Sequence, residues 1–249
     1  MVIPIYDANP LAFKTRPYVT WLLILANVAI FIFLQVASLA EAEISLARAF
    51  TFIPSAVGRG VAVTDGRIWI PWELTLVTYM FLHGGWFHLI GNMLFLWVFG
   101  DDVEDALGRT RYLIFYLTCG IAGGIAHFLS QPQSQLPLLG ASGAIAGIVA
   151  AYLMLRPCTK VWVLVLKGIP IRLPAYLVLG SWVLLQIINV AIGDKGSVSW
   201  WTHIGGLVSG ALLLIVMRKP NVKLFDCSPT AAVRELPLTK RKVLRVDTP

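Results

Sequence analysis

Charged residues are scarce in this sequence, and acidic residues are missing from every long apolar stretch. Charged side chains make up 13% of the chain and hydrophobic side chains 57%. All 13 Asp and Glu residues lie outside the stretches long enough to cross a bilayer. This absence excludes a protease with paired intramembrane aspartates, an HExxH zinc site within a span, and a carboxylate proton relay.

Cysteine is also rare, with 3 residues in 249. Cys119 falls within an apolar stretch, whereas Cys158 and Cys227 fall on the side of the membrane that the charge distribution below predicts to be cytoplasmic. Thiols in the cytoplasm stay reduced. The sequence therefore predicts that none of the three cysteines forms a disulfide.

Long apolar stretches dominate what remains. The mean hydropathy of +0.76 is far above that of a soluble domain, and a spanning helix needs about 20 mostly apolar residues. Stretches without Asp, Glu, Lys or Arg predict six spans, with the third and fourth separated at residues 130–137. They are residues 18–40, residues 74–100, two spans within residues 112–155, residues 173–193 and residues 196–217. The predicted fold class is an all-α membrane protein, a six-transmembrane-helix bundle.

The distribution of basic residues predicts the orientation of this bundle. With the amino terminus inside, 16 of the 20 Lys and Arg residues lie on cytoplasmic segments, as topology rules require. This predicts two cytoplasmic termini, residues 1–17 and a basic tail at 218–249, around a membrane domain at 18–217. The net charge of +7 then reflects topology and the basic tail, not a nucleic-acid partner. The tail is expected to be a disordered segment that only fixes topology; the alternative is that it lies on anionic lipid headgroups. Between spans four and five, the alternating residues 161–174 predict a short β-hairpin.

Few polar residues lie inside the predicted spans, and an intramembrane polar residue is by default a functional hypothesis. Ser142, within "GASGAIAGIV", begins span four, and His203 lies near the start of span six. His83, His88 and Asn92 lie in the first two thirds of span two, with His88 and Asn92 one helical turn apart. Because spans two, four and six all run from outside to inside, these residues are predicted to share the outer half of the bilayer.

This combination of side chains fits nucleophilic acyl transfer. Ser142 would attack a carbonyl and His203 would take the hydroxyl proton. The two residues would form a serine–histidine dyad, in which no carboxylate serves as a third member. The Ser142 amide, the Asn92 side chain and the His88 imidazole could stabilise the oxyanion. The alternative is that glycines such as Gly140 and those near His203 only allow close helix packing, with Ser142 bonded to its own helix.

Four motifs, taken together, resemble the rhomboid family of intramembrane serine proteases over nearly the whole chain. They are "HGGWFHLIGNM" at residues 83–93, "FGDDVEDALGRTRYLIFY" at 99–116, "GASG" at 140–143 and "WWTHIGGLVSG" at 200–210. Each motif is degenerate alone, but their order and topology are specific to that family.

The resemblance implies Ser142 as nucleophile and His203 as general base, with no metal and no cofactor. It places His88 and Asn92 around the oxyanion, and it adds His83 and Gly140 as residues that support the site. The sequence departs from the family pattern in three places. Residues 74 and 75 are Leu-Thr where many members have Trp-Arg, Ala146 replaces an aromatic residue that packs on the catalytic histidine in some members, and Thr202 replaces a common alanine. The sequence therefore leaves open how His203 is oriented.

The predicted function is that of an endopeptidase that cleaves transmembrane segments of other membrane proteins near the outer face. The predicted location is the cell membrane, in a multi-pass protein whose partners are the bilayer and its transmembrane substrates; no oligomeric state is predicted. One alternative is a catalytically inactive rhomboid-like scaffold that binds transmembrane helices. A channel or transporter is a weaker alternative, because no inverted symmetry relates the halves of the sequence.

Overall fold

The computed structural model describes residues 3–7, 16–37, 49–58, 61–63, 68–165, 168–194, 196 and 198–228, and helices make up most of this part of the chain. Seven α-helices occur in this part of the chain: α1 (Tyr18–Ala37), α2 (Trp72–Thr78), α3 (Trp86–Leu107), α4 (Arg109–Ser130), α5 (Ser142–Leu155), α6 (Ala175–Ala191) and α7 (Trp200–Met217). Each of the six predicted spans overlaps one of the longer helices, α1 and α3 to α7. In lipid a helix is favoured because it satisfies every backbone polar group within one segment.

Within the described ranges, five short strands form two small antiparallel sheets. The strands are β1 (Ile3–Asp7), β2 (Val61–Val63), β3 (Ile68–Ile70), β4 (Lys160–Val165) and β5 (Ile169–Pro174). The first sheet has the order β1-β4-β5, and the second pairs β2 with β3. The β4–β5 pair confirms the hairpin predicted from alternation, whereas the pairing of β1 with β4 was not predicted, because its two strands lie far apart in sequence.

Helices α5 and α7 touch along their backbones. A Cβ atom added to Gly206 would lie 1.9 Å from the carbonyl oxygen of Gly143, and one added to Gly210 would lie 2.5 Å from the carbonyl oxygen of Gly147. On its other side α7 approaches α4, where a Cβ at Gly205 would lie 2.7 Å from a backbone oxygen. The small residues predicted on these faces therefore serve close packing, which brings the first turns of α5 and α7 together.

The second predicted span is not one continuous helix. Helix α2 passes into a 3₁₀ turn at Tyr79–Phe81, the chain is extended at Leu82, and α3 starts only at Trp86. The interruption falls at Gly84 and Gly85, and glycine favours such breaks because it lacks a Cβ. The prediction of a single helix over residues 74–100 was wrong because the absence of charge does not reveal a helix break.

Two helices in the described part of the chain, Arg109–Ser130 and Trp200–Met217, are both long and apolar enough to cross a membrane. Three apolar helical stretches are shorter: Tyr18–Leu34, Ser142–Leu155 and Ala175–Ala191. The count of six spans and the orientation of the termini stay predictions. The last part of the predicted first span, residues 38–40, and most of the predicted tail, residues 229–249, lie outside the described residues.

Buried acidic groups join the amino-terminal strand to the helices. The Tyr152 hydroxyl donates a hydrogen bond to Asp7 Oδ2 at 2.6 Å. Burial raises the pKa of Asp7 above its usual value, because a buried carboxylate loses hydration. Nearby, Glu104 on α3 accepts hydrogen bonds from the amide and the hydroxyl of Thr20, both at 2.8 Å, and so fixes α1 against α3.

The structure contains a disulfide between Cys158 and Cys227, so the prediction that both remain reduced was wrong. The chain after α7 returns to the end of α5, where the Phe225 amide donates to the Met154 carbonyl at 2.6 Å. An ion pair of 3.0 Å between Arg156 and Asp226 lies beside it. These contacts bring together two cysteines that are 69 residues apart in sequence. The prediction of reduced thiols was based on the cellular compartment alone and did not consider this proximity.

Candidate active site

Ser142 is the first residue of α5 and its side chain is partly exposed. The preceding loop is held in place by two hydrogen bonds between the backbones of Phe52 and Leu138, and by the Gly140 amide, which donates to the Tyr79 carbonyl at 2.9 Å. Gly140 itself has a φ of +117°, a conformation that side chains other than glycine rarely adopt. The first amides of a helix lack intrahelical acceptors and carry a partial positive charge, so Ser142 lies where a developing anion is favoured.

His203 lies in the first turn of α7 and is buried. Its Nε2 atom is 2.8 Å from the Ser142 hydroxyl oxygen, within hydrogen-bond distance. The contact between Ser142 and His203 depends on the close approach of α5 and α7 at Gly143 and Gly206. Each of the two residues lies within one helical turn of those glycines. The structure thus brings together the two residues that the sequence predicts as nucleophile and base.

Sequence reasoning missed Gln186, on α6. Its side-chain oxygen lies 2.8 Å from His203 Nδ1, on the far side of the imidazole from Ser142. Its side-chain nitrogen donates to the Trp182 carbonyl at 2.9 Å. The sequence did contain one signal for Gln186, because a side-chain amide within an apolar span needs a hydrogen-bond partner inside the protein.

Two tryptophans complete the surroundings of His203. The Trp182 ring from α6 lies 5.6 Å from the imidazole between centroids, tilted by 40°, and the Trp200 ring lies 6.2 Å away, edge-on at 82°. A Cβ added to Gly206 would lie 3.1 Å from the Ala146 Cβ, so position 146 faces α7 where the two helices are in contact. An aromatic side chain at position 146 would have to displace α7. In this structure the Trp182 ring from α6 lies against the imidazole instead.

His88, Asn92 and Gly140 form a second group beside Ser142. A Cβ added to Gly140 would lie 2.6 Å from His88 Nε2 and 3.7 Å from Asn92 Nδ2, so both side chains face the backbone of the loop just before Ser142. The Nδ2 atom of Asn92 is buried without a hydrogen-bond partner in the described part of the chain. His83 packs edge-on against His88, with ring centroids 5.1 Å apart.

His127, the fourth histidine, has a different environment. Its Nδ1 atom lies 2.8 Å from the Ser199 hydroxyl, which is also 2.6 Å from the Thr202 hydroxyl. The imidazole therefore connects α4 to the start of α7. Among the described residues no group of three or more His, Cys, Asp or Glu side chains could hold a metal ion.

The fold and the site together define a helical membrane bundle with a serine hydrogen-bonded to a histidine. The family model described as "Rhomboid domain" matches residues 71–220, more than half of the chain. The chain therefore belongs to the rhomboid family, whose members form all-α bundles embedded in membranes.

Several similar proteins support this membership. The chain is 29% identical to "Rhomboid protease GluP" of Bacillus subtilis over 219 residues, covering 88% of this chain and 38% of that protein. It is 33% identical to "Putative rhomboid protease YdcA" of the same organism over 101 residues, covering 41% of this chain and 48% of that protein. "Rhomboid-type serine protease 2" of Emericella nidulans is 32% identical over 145 residues, covering 57% of this chain and 26% of that protein. In each case the matched region spans less than half of the relative's length.

Proposed function

We propose that this protein is an intramembrane serine endopeptidase, with Ser142 as nucleophile and His203 as general base. The observation that carries the proposal is the 2.8 Å contact between His203 Nε2 and the Ser142 hydroxyl. A nucleophile and its base must lie within hydrogen-bond reach for proton transfer to accompany attack. The names of several relatives as proteases agree with this assignment.

The chemistry would proceed in two halves. The Ser142 oxygen attacks the scissile carbonyl while its proton passes to His203 Nε2, and the resulting imidazolium then protonates the departing amine. Water, deprotonated by the same nitrogen, next hydrolyses the acyl-serine ester and restores the free hydroxyl. The reaction needs no carboxylate, but it does need the imidazole to be held with Nε2 unprotonated before attack.

The oxyanion of each tetrahedral intermediate would be stabilised by the group of residues beside Ser142 that includes Asn92 and His88. Asn92 Nδ2 is a buried donor without a partner among the described residues, as expected of a group that serves a transient anion. The amides of the first turn of α5 add further donors. His88 lies beside this position, and His83, packed on its ring, supports it. Gly140 allows the loop to pass close to His88 Nε2.

The substrates would be transmembrane segments of other proteins, cleaved near the outer face of the cell membrane. This part of the proposal rests on the predicted six spans with both termini in the cytoplasm, which put Ser142 in the outer half of the bilayer. A peptide bond in a helix is shielded by its own hydrogen bonds, so segments weakened by Gly, Pro or polar residues should be preferred.

The test compares the purified wild-type protein with Ser142→Ala, His203→Ala and the control Ser209→Ala in proteoliposomes. Ser209 is a second intramembrane serine, on α7, whose hydroxyl donates to the Gly206 carbonyl at 3.1 Å. The substrate is a model protein whose transmembrane segment is weakened by glycine, and products are located by mass spectrometry. Cleavage by wild type and Ser209→Ala only, with a fluorophosphonate adduct on Ser142, is the expected result.

Two other outcomes would overturn the proposal. Equal cleavage by all four proteins would assign the activity to a contaminant. A folded wild-type protein that binds the segment without cleaving it or reacting with fluorophosphonate would instead be a scaffold for transmembrane helices.

A further inference from the structure

We propose that Gln186 is a positioning residue for His203, so that the base is held in its working state by α6. The inference rests on the proposed function, because it concerns the same serine–histidine pair. Its geometric basis is a chain of three hydrogen bonds, from the Trp182 carbonyl through the Gln186 amide and the His203 imidazole to the Ser142 hydroxyl.

The direction of the first bond fixes the other two. A backbone carbonyl only accepts, so the Gln186 nitrogen must face Trp182 and the Gln186 oxygen must face His203. That oxygen also only accepts, so Nδ1 of His203 must carry the ring proton. In the neutral imidazole Nε2 then presents its lone pair to the Ser142 hydroxyl, which is the tautomer a general base requires. Gln186 therefore selects the competent tautomer as well as the ring orientation.

The environment of Gln186 supports a specific role. Its relative exposure is 1%, while Leu185 and Ile187, its neighbours on α6, are 49% and 51% exposed. Helix α6 thus presents apolar side chains outward and a single amide toward α7 at this level. Burying an amide is costly unless its groups are hydrogen-bonded, and here both the oxygen and the nitrogen have partners.

A consequence follows for the position of α6. Both groups that orient the imidazole from this side, the Gln186 amide and the Trp182 ring, belong to α6. A displacement of α6 by about 1 Å would lengthen the bond to Nδ1 beyond hydrogen-bond distance. The base is then free to rotate or to change tautomer, so the active site is complete only while α6 is packed against α7.

The test uses three substitutions of Gln186 in the full-length protein in proteoliposomes. Gln186→Met keeps the shape and removes the acceptor, and Gln186→Asn keeps the amide but withdraws its oxygen by about one C–C bond length, roughly 1.5 Å. Gln186→Glu keeps an accepting oxygen. We expect kcat to fall about 10-fold or more in the Met and Asn variants, with KM within about twofold of wild type, because one hydrogen bond to the base is lost. The Glu variant should keep kcat within about threefold of wild type.

The order of the variants separates positioning from packing. A residue that only fills space tolerates Met better than Glu, because a carboxyl group is harder to bury; positioning gives the reverse order in kcat. The rate of Ser142 labelling by a fluorophosphonate, measured per folded molecule, should follow kcat. Asn189→Leu is the matched control, since Asn189 makes the same bond to its own helix, to the Leu185 carbonyl at 2.7 Å, and should react like wild type.

Three results would overturn the inference. If the Met or Asn variant retains wild-type kcat, Gln186 does not position the base, and this holds even where the other variant fails to fold. If Met is more active than Glu, the residue acts through packing. If the wild-type protein neither cleaves substrate nor labels at Ser142, the proposed function itself fails and the inference fails with it.

Discussion

Replacing Gly206 with alanine should abolish the proposed activity by separating the two helices that carry the proposed nucleophile and base. The added Cβ would lie 1.9 Å from the Gly143 carbonyl oxygen, with the Gly143 carbonyl carbon 2.9 Å away. A carbon and a carbonyl oxygen come into contact at about 3.3 Å, so the backbones must move apart by about 1.4 Å. Neither contacting atom belongs to a flexible side chain, so no rotamer change relieves the clash.

The displacement acts directly on the pair of residues proposed to be catalytic. His203 is one turn before Gly206 on α7, and Ser142 directly precedes Gly143 on α5. Moving the helices apart by about 1.4 Å would stretch the 2.8 Å contact between Ser142 and His203 to about 4 Å, beyond hydrogen-bond distance. A misplacement of about 1 Å can cost about 100-fold in rate, which is the loss of kcat expected here.

The same change should affect stability much less. Overpacking costs about 1–3 kcal/mol, while replacing glycine by alanine in a helix recovers up to about 1 kcal/mol. The net loss of at most about 3 kcal/mol should leave the protein folded, so activity can be measured per folded molecule.

The assay follows cleavage of the model substrate and fluorophosphonate labelling of Ser142, with thermal unfolding recorded on the same samples. Gly180→Ala is the matched control, because Gly180 lies within α6 and a Cβ there would meet nothing within 4 Å. It should match wild type in rate and equal or exceed it in thermal stability. A Gly206→Ala protein that cleaves at the wild-type rate would refute the link between the glycine contact and the proposed catalytic pair.

Three further substitutions test other parts of the structure. Gly140→Ala should lower kcat about 10- to 100-fold, because residue 140 has a φ of +117° and the added Cβ would lie 2.6 Å from His88 Nε2. An unchanged kcat would contradict this prediction. Burial raises the pKa of Asp7, so its contribution to stability is present below about pH 4 and is lost as pH rises through the folded-state pKa. The thermal midpoint of wild type should therefore fall relative to that of Asp7→Asn as the pH rises above about 4, and parallel curves would show that Asp7 does not titrate in this way. Cys158→Ser should lower the free energy of unfolding by up to about 4 kcal/mol, given the 69-residue separation from Cys227, and a reductant should bring wild type to the same value; free thiols in non-reducing mass spectrometry would contradict the bridge.

The sequence predicted the parts of the fold that depend on local composition. Charge-free stretches located a helix in each of the six expected places, and alternation located the β4–β5 hairpin. Composition did not reveal the break before Trp86, because the glycines of "HGGW" are as free of charge as the helix that follows. The pairing of β1 with β4 and the Cys158–Cys227 bridge each join segments remote in sequence. Such pairings follow from the tertiary fold and not from local pattern.

The candidate site shows the same division at the level of single residues. Ser142, His203, His88 and Asn92 were identifiable because polar residues in apolar stretches stand out and the predicted topology gave them a common depth. Gln186 is also a polar residue in an apolar stretch, but the predicted topology runs the fifth span in the opposite direction, and the sequence contained no indication of which way its amide faces. The orientation of the base depends on that direction, and it requires the side-chain contacts of α6.

Ala146 and Gln186 are best understood as two parts of one arrangement. The close approach of α5 and α7 at Gly143 and Gly206 leaves room for only a small side chain at position 146, so α5 cannot contribute an aromatic ring to hold His203. The imidazole still needs a partner at Nδ1 if Nε2 is to remain unprotonated opposite Ser142. In this chain that partner comes from α6, through an amide whose own orientation is fixed by the Trp182 carbonyl. Close helix packing and the tautomer of the base are therefore linked, because the packing that sets the distance between Ser142 and His203 also requires that α6 orient the ring.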